Sequence, residues 1–307
     1  MDSFNACQSD RQYLSLPERA SERFRMIFFP IALLLLCCFS LLAPQASAFD
    51  HSHRLFTAEL KKYVKKNGVL YDKWKQKREG LDRYFKELET ITAEEYAAFT
   101  ERERKALWLN VYNALAIRLV LDQYPIKGKN ANYPANSIRQ IPDVWKAAVC
   151  KTTGKDVSLY VIFHSMMRKD FHDCRSHFAI VPASRGAYPL QPEAFQEAKV
   201  EQQLEKITKS FMANRENLSA DLSSNTIYVS HIFKWFPLDF LSLQGGKIPF
   251  PPPADDDVVR EYVLPFLHKE EQEQLKGKQA KIVYKNYDWT LNDALQSVSS
   301  NETHFAD

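Results

Sequence analysis

The chain has 307 residues, 45% hydrophobic and 26% charged, which is the composition of a globular protein long enough to bury a sizeable core. A net charge of +3, with no basic-aromatic stripe, argues against nucleic acid as a partner. Only 8 glycines, and no GxGxxG or GxxxxGK[ST] pattern, argue against glycine-rich phosphate loops and many-turned all-β folds.

In chain order, Arg19, Arg23 and Arg25 precede an apolar run from Met26 to Ala43, and Pro44-Gln45-Ala46-Ser47-Ala48 follows. Basic, apolar and small-residue regions in that order predict a secretory signal over residues 1–48, cleaved after Ala48, and so an exported protein, periplasmic or extracellular. Left uncleaved, the same segment would be an anchor, which is the single route to a membrane that the sequence offers. Translation from Met26 would remove the arginines. Cys37 and Cys38 would leave with the signal, and Cys150 and Cys174 would remain. Two cysteines in an exported protein predict one disulfide, Cys150–Cys174.

The new terminus would be Phe49-Asp50-His51. A free amine with His at the third position suits Cu(II) or Ni(II), but the spacing reads as incidental, and His51-Ser52-His53 as a disordered lead-in. Leu60, Tyr63 and Val64 predict a short helix ended by Gly68, and Leu81, Tyr84, Phe85 and Leu88 a second over roughly 73–89. Thr92 with Glu95 reads as a capping box. Residues 104–121 contain no Gly or Pro and are apolar on nearly every face, so they predict a buried central helix, stopped at Tyr124-Pro125. Asn110 and Asn113 are three apart and share one face of it. A buried, unpaired amide costs about 1–3 kcal/mol, so both must be hydrogen-bonded, either clamping neighbouring backbone or orienting a catalytic His or a ligand.

Residues 125–143 read as a loop. Trp145 to Lys151 and the turn Thr152-Thr153-Gly154-Lys155 suggest a hairpin, and Ser158 caps a helix to about Arg168 that carries His164. Residues 176–181 read as a buried strand running into the loop 182–190. Pro192 opens a helix reaching Phe211; 225–230 is a strand, 231–236 an aromatic helical turn, and Asp255, Asp256 and Asp257 start a helix. Lys281 to Tyr284 is a last strand, and the polar tail, including 301–307, reads as disordered. The fold class is α+β: one mostly helical domain over 49–300, with a small sheet around the central helix.

Seven blocks then share an order with a known family: Leu107-Trp108-Leu109-Asn110-Val111-Tyr112-Asn113-Ala114-Leu115, Tyr124-Pro125, Val144-Trp145-Lys146, Ile162-Phe163-His164 with Met167-Arg168, His177-Phe178-Ala179-Ile180-Val181, Ser230-His231-Ile232-Phe233-Lys234-Trp235, and Tyr287-Asp288-Trp289. Together they cover roughly 55–295, and the sequence resembles the family called domain of unknown function 547. The resemblance carries no established activity. Its members usually show a loop Cys-x-Ser-x-Gly-Cys-Pro-x-Leu after the His-Phe-Ala segment. Here Pro182 and Ala187 stand at the two cysteine positions, while Ser184, Gly186 and Leu190 remain. The family loop invites comparison with thiol enzymes of papain or transglutaminase type, in which a Cys lies near a His.

Two function classes follow. One is a binding or interaction module for a protein or small molecule, its thiol nucleophile lost. The other is a hydrolase or acyl-transfer enzyme with His164 and a non-Cys partner such as Ser184 as catalytic residues. Candidate cleft residues are Asn110, Asn113, His177, Arg185, Lys234 and Trp235. Arg185 is the candidate for an anionic group, because its planar fork suits carboxylate or phosphate. The His172-to-His177 segment matches no zinc spacing, so no metal or other cofactor is expected.

Overall fold

The computed structural model describes residues 49–147, 150–241 and 250–295. The expected signal segment and the polar tail lie outside them. The architecture is α+β and mostly helical, organised around α5, Glu101–Gln123. Thr100 and Glu103 form a reciprocal capping box at its start. Every residue from Lys105 to Leu121 except Arg118 is buried, and Arg118 lays its guanidinium over the Phe85 ring at 4.2 Å. Burying each large aliphatic side chain such as Leu107, Leu109 or Leu115 contributes about 1.5–3 kcal/mol, so an all-round apolar helix is most stable when neighbours enclose it.

Those neighbours come from both sides in sequence. Before it stand α1 (Arg54–Tyr63), the hairpin β1–β2 (Val64–Lys65, Gly68–Val69), α2 (Tyr71–Gln76), α3 (Glu79–Glu89) and α4 (Ala93–Ala98). After it come the hairpin β3–β4 (Cys150–Thr152, Lys155–Val157), the turn α6 (Leu159–Val161), a π-helix over Ile162–Phe171, α7 (Ser176–Ala179) and α8 (Val200–Ala213). The helix α5 touches α2, α6, the π-helix and α8. A half-buried ion cluster also ties it down: Lys105 Nζ donates to Asp173 (3.1 Å) and Glu201 (3.0 Å), and Arg175 bridges the same two carboxylates.

The three-stranded sheet holds β5 (Leu218–Asp221), β6 (Thr226–Val229) and β7 (Lys281–Tyr284) in that order. The pair β5–β6 is antiparallel, with Leu218 opposite Val229, and β6–β7 is parallel, with Thr226 opposite Lys281. Between β6 and β7 lie α9 (Ile232–Trp235), the 3-10 turn Pro237–Phe240, α10 (Asp255–Val263) and α11 (Lys269–Leu275). After β7 the chain runs back across the domain. Ser184 bridges Leu291, Tyr71 donates to Asn292, and Tyr124 donates to Asp293, the last two at 2.7 Å. No helix among the described residues is long and apolar enough to cross a membrane.

Several expectations are corrected. Residues 176–181 are a helical turn and then an extended piece paired with a side chain, not a strand; a short apolar run does not separate the two. Helix α8 begins at Val200, not Pro192, because Asn110 binds both the N–H and the C=O of Phe195 and holds that segment out of the helix. The expected helix after Ser158 widens into the π form. Thr92 accepts from the Glu95 N–H as a cap, but the Glu95 carboxylate serves the Phe49 N–H instead of closing the box. The lead-in is packed: Phe49 stacks on Phe99, and His53 is buried with its Nδ1 on the Tyr84 hydroxyl at 2.8 Å. Both cysteines among the described residues, Cys150 and Cys174, are free thiols, so the expected disulfide between them is absent. Cys150 is buried in β3, where burial pushes its thiol up to about 12, and Cys174 lies against the Tyr262 hydroxyl.

Candidate functional site

A cleft of about 760 Å³ opens on one side of the domain. Its floor is made by two histidines and two phenylalanines. His164, from the π-helix, and His177, from α7, both meet Phe163 (ring centres at 5.0 and 5.3 Å) and Phe236 (5.5 and 5.7 Å). A charged pair stands behind them. Asp239, from the 3-10 turn, accepts from Arg168 through both carboxylate oxygens and from His177 Nε2 at 2.8 Å. The Arg168 NH1 group also reaches His164 Nδ1 at 3.1 Å, and its guanidinium stacks on Phe236 at 3.9 Å.

The electrostatics follow from those contacts. Burial by itself would raise the Asp239 pKa, but the hydrogen bonds from Arg168 and His177 outweigh it and hold the carboxyl at about 2. Burial lowers the pKa of His164, and the adjacent Arg168 charge adds to this. An Arg can only donate, so the Nδ1 facing it must be the unprotonated nitrogen of a neutral ring.

The walls are aromatic. Trp145 and Trp289 meet at 6.0 Å, Trp235 packs on Tyr287 (4.8 Å) and Trp289 (5.7 Å), and Tyr160 covers His164 at 4.3 Å. Arg139 enters from the 125–143 loop, lies over Tyr133, Trp145 and Trp289, and donates to the Tyr133 hydroxyl. The opposite rim is the 182–190 loop. Ala183 adopts a left-handed φ of 51°, and Gly186 lies so close to the returning chain that a Cβ would stand 2.9 Å from the Asp288 nitrogen and the Tyr287 ring. The two residues of this loop that line the cleft are Pro182 and Ala187.

The expected site residues therefore separate. His164, His177 and Trp235 are brought together in the lining. Ser184 is buried behind it, its hydroxyl 2.7 Å from that of Tyr287. Arg185 and Lys234 are exposed and are not in the lining; Lys234 instead extends over Tyr284. Asn110 and Asn113 are saturated by backbone. Asn110 binds Phe195 in both directions at 2.8 Å, and Asn113 donates to Ala179 C=O (3.1 Å) and accepts from Val181 N–H (2.8 Å). Neither is in the lining: Asn113 holds the segment between the lining residues Ile180 and Pro182, and Asn110 holds a segment outside it. Sequence reasoning missed Asp239 and Arg139, which carry no spacing signal, and left Trp145 and Trp289 without a role although both lay in quoted blocks. Among the described residues, no group of three or more His, Cys, Asp or Glu side chains could hold a metal ion.

Fold and site together define an α+β domain with an aromatic-walled cleft floored by two histidines. Residues 96–212 match the family described as protein of unknown function, DUF547, and over that stretch the chain is similar to it. The match spans α5, the floor histidines His164 and His177, Pro182 and Ala187, and stops before His231, Trp235, Asp239 and Trp289. No curated protein and no solved structure matches the chain.

Proposed function

We propose that this protein is a binding module whose cleft takes a small molecule or a segment of a protein, and that it has lost the thiol nucleophile of the loop. The carrying observation is the lining: it is rich in Trp, Tyr, Phe and His, and holds no Cys, Ser or Thr among the described residues. Concave, largely apolar sites with a few fixed polar groups are where ligands bind. Pro182 and Ala187 occupy the two places at which the family resemblance puts cysteines, and both face into this space. The alternative, a hydrolase or acyl-transfer enzyme using His164 with Ser184, is disfavoured. The serine is buried on Tyr287, and the His164 nitrogen that could serve as a base is already occupied by Arg168.

Three tryptophans line the cleft, so intrinsic fluorescence reports occupancy directly. A panel of fragments and short peptides, titrated against the wild type and Trp235→Ala, should give saturable quenching that weakens about tenfold or more in the variant, with unchanged thermal stability, because Trp235 is 39% exposed. Ester or amide turnover that disappears in His164→Ala would replace this reading with the enzyme one. An absence of both binding and turnover would remove the cleft as a functional site.

We further propose export with cleavage after Ala48. Support comes from the order of charged, apolar and small residues in 1–48, and from the Phe49 nitrogen, which lies 3.0 Å from a Glu95 carboxylate oxygen. Cleavage would turn that amide into an ammonium facing a carboxylate. Amino-terminal sequencing of the protein recovered from an expressing cell tests it, with Phe49 as the expected first residue.

A further inference from the structure

The two floor histidines have their protons placed by groups behind the cleft, and the consequence is chemical selectivity. Arg168 has only N–H donors, so His164 must accept at Nδ1 and carry its hydrogen on Nε2. The Asp239 carboxylate only accepts, so His177 must place a hydrogen on Nε2, which makes Nδ1 the acceptor side whenever the ring is neutral. In that form one ring offers an N–H donor and the other a lone pair. Both rings line the cleft and contact the same two phenyl groups, Phe163 and Phe236, which puts them within reach of one ligand.

We propose that the cleft selects a neutral carboxamide, such as a peptide bond, attached to an apolar or aromatic body, with its C=O on His164 Nε2–H and its N–H on His177 Nδ1. A carboxylate has two acceptors and no donor, so it would set a charge against the His177 lone pair. Discrimination of this kind is strong because a buried polar group left unpaired costs more than a made bond contributes. The other charged groups of the lining do not restore a carboxylate preference. The Arg139 guanidinium is spread over three aromatic rings and committed to Tyr133, and Lys146, near Tyr160, is accompanied by the exposed Asp143. His231 donates from Nδ1 to the Lys285 carbonyl.

The inference rests on the cleft being a binding site, and two measurements separate its failure from that of the binding reading. The first uses histidine labelled with nitrogen-15 in the whole protein at neutral pH, where ring shifts and couplings report which nitrogen carries hydrogen. Both His164 and His177 should appear as neutral rings protonated on Nε2; a cationic His177, or a His164 protonated on Nδ1, overturns the proposal. The second compares 3-phenylpropanamide with 3-phenylpropanoate, which differ only in carboxamide against carboxylate, by titration. The amide should bind at least tenfold tighter than the acid in the wild type, and the preference should shrink several-fold in Asp239→Asn, whose side chain no longer dictates the His177 tautomer. If that variant fails to fold, Arg168→Met supplies the same comparison from the His164 side. Equal binding of acid and amide, or a preference for the acid, refutes the selectivity while leaving the cleft a ligand site. Binding of neither probe, with both rings in the expected form, refutes the amide class.

Discussion

At the scale of single residues, the structure spends its polar side chains on backbone and on one another. His53 is the most exposed to a test. It is 1% accessible, sits at φ 48°, pairs Nδ1 with the Tyr84 hydroxyl, and finds no partner for Nε2 among the described residues. Burial, first, and the neighbouring His51 lower its pKa to about 3. The sign follows directly. The unfolded chain takes up a proton near pH 6.5 and the folded chain does not until about 3, so the folded state loses stability as pH falls through that window, at about 1.4 kcal/mol per pH unit for this one group. His53→Asn keeps a residue that tolerates the left-handed backbone and has no proton to gain. Urea melts at several pH values should show a shallower decline between pH 6.5 and 3 in the variant than in the wild type. Parallel declines would mean that His53 is solvated in solution.

At the scale of elements, α5 acts as a spine that positions loops through two amides. Asn110 fixes the chain before α8, and Asn113 fixes the extended piece after α7. Replacing either by Ala removes two hydrogen bonds and strands buried backbone groups, which should cost on the order of 2–4 kcal/mol. Denaturant midpoints measure that loss. The two variants should then diverge in function. Ile180 and Pro182 line the cleft and adjoin the segment that Asn113 holds, whereas Phe195 is not in the lining. Asn113→Ala should therefore weaken ligand quenching of the cleft tryptophans, and Asn110→Ala should leave it unchanged; equal effects from both would mean general loosening.

At the scale of the whole molecule, the cleft is assembled from six stretches spread along the chain. They are α5 at Tyr112, the 125–147 segment, α6 with the π-helix, α7 with the 182–187 rim, α9 with the following turn, and the returning segment around Tyr287 and Trp289. This makes a direct test of its ancestry possible. Ala187 faces the same space as His164 and His177. A cysteine placed there, as Ala187→Cys, should be held partly as thiolate by a neighbouring imidazole, and should alkylate at neutral pH about tenfold faster than a free thiol. Cys150 and Cys174 provide internal controls, since burial raises both their pKa values. Alkylation no faster than those controls would separate the loop from any thiol chemistry.

By itself the sequence determined what local composition can encode. The buried central helix follows from its all-round apolar surface, its end from Tyr124-Pro125, the strands at 226–229 and 281–284 from short β-branched runs, and the resemblance to the family matched over residues 96–212 from seven ordered blocks. It also singled out His164, His177 and Trp235, because they lie in those blocks. Tertiary structure decided the rest. Whether 176–181 became strand or turn depended on an amide from a distant helix, since a short apolar run stabilises either conformation once buried. The roles of the histidines depended on Arg168 and Asp239, which are 71 residues apart and meet only in the fold. A ring nitrogen's state is set by whatever touches it, and those contacts exist only once the chain has closed on itself.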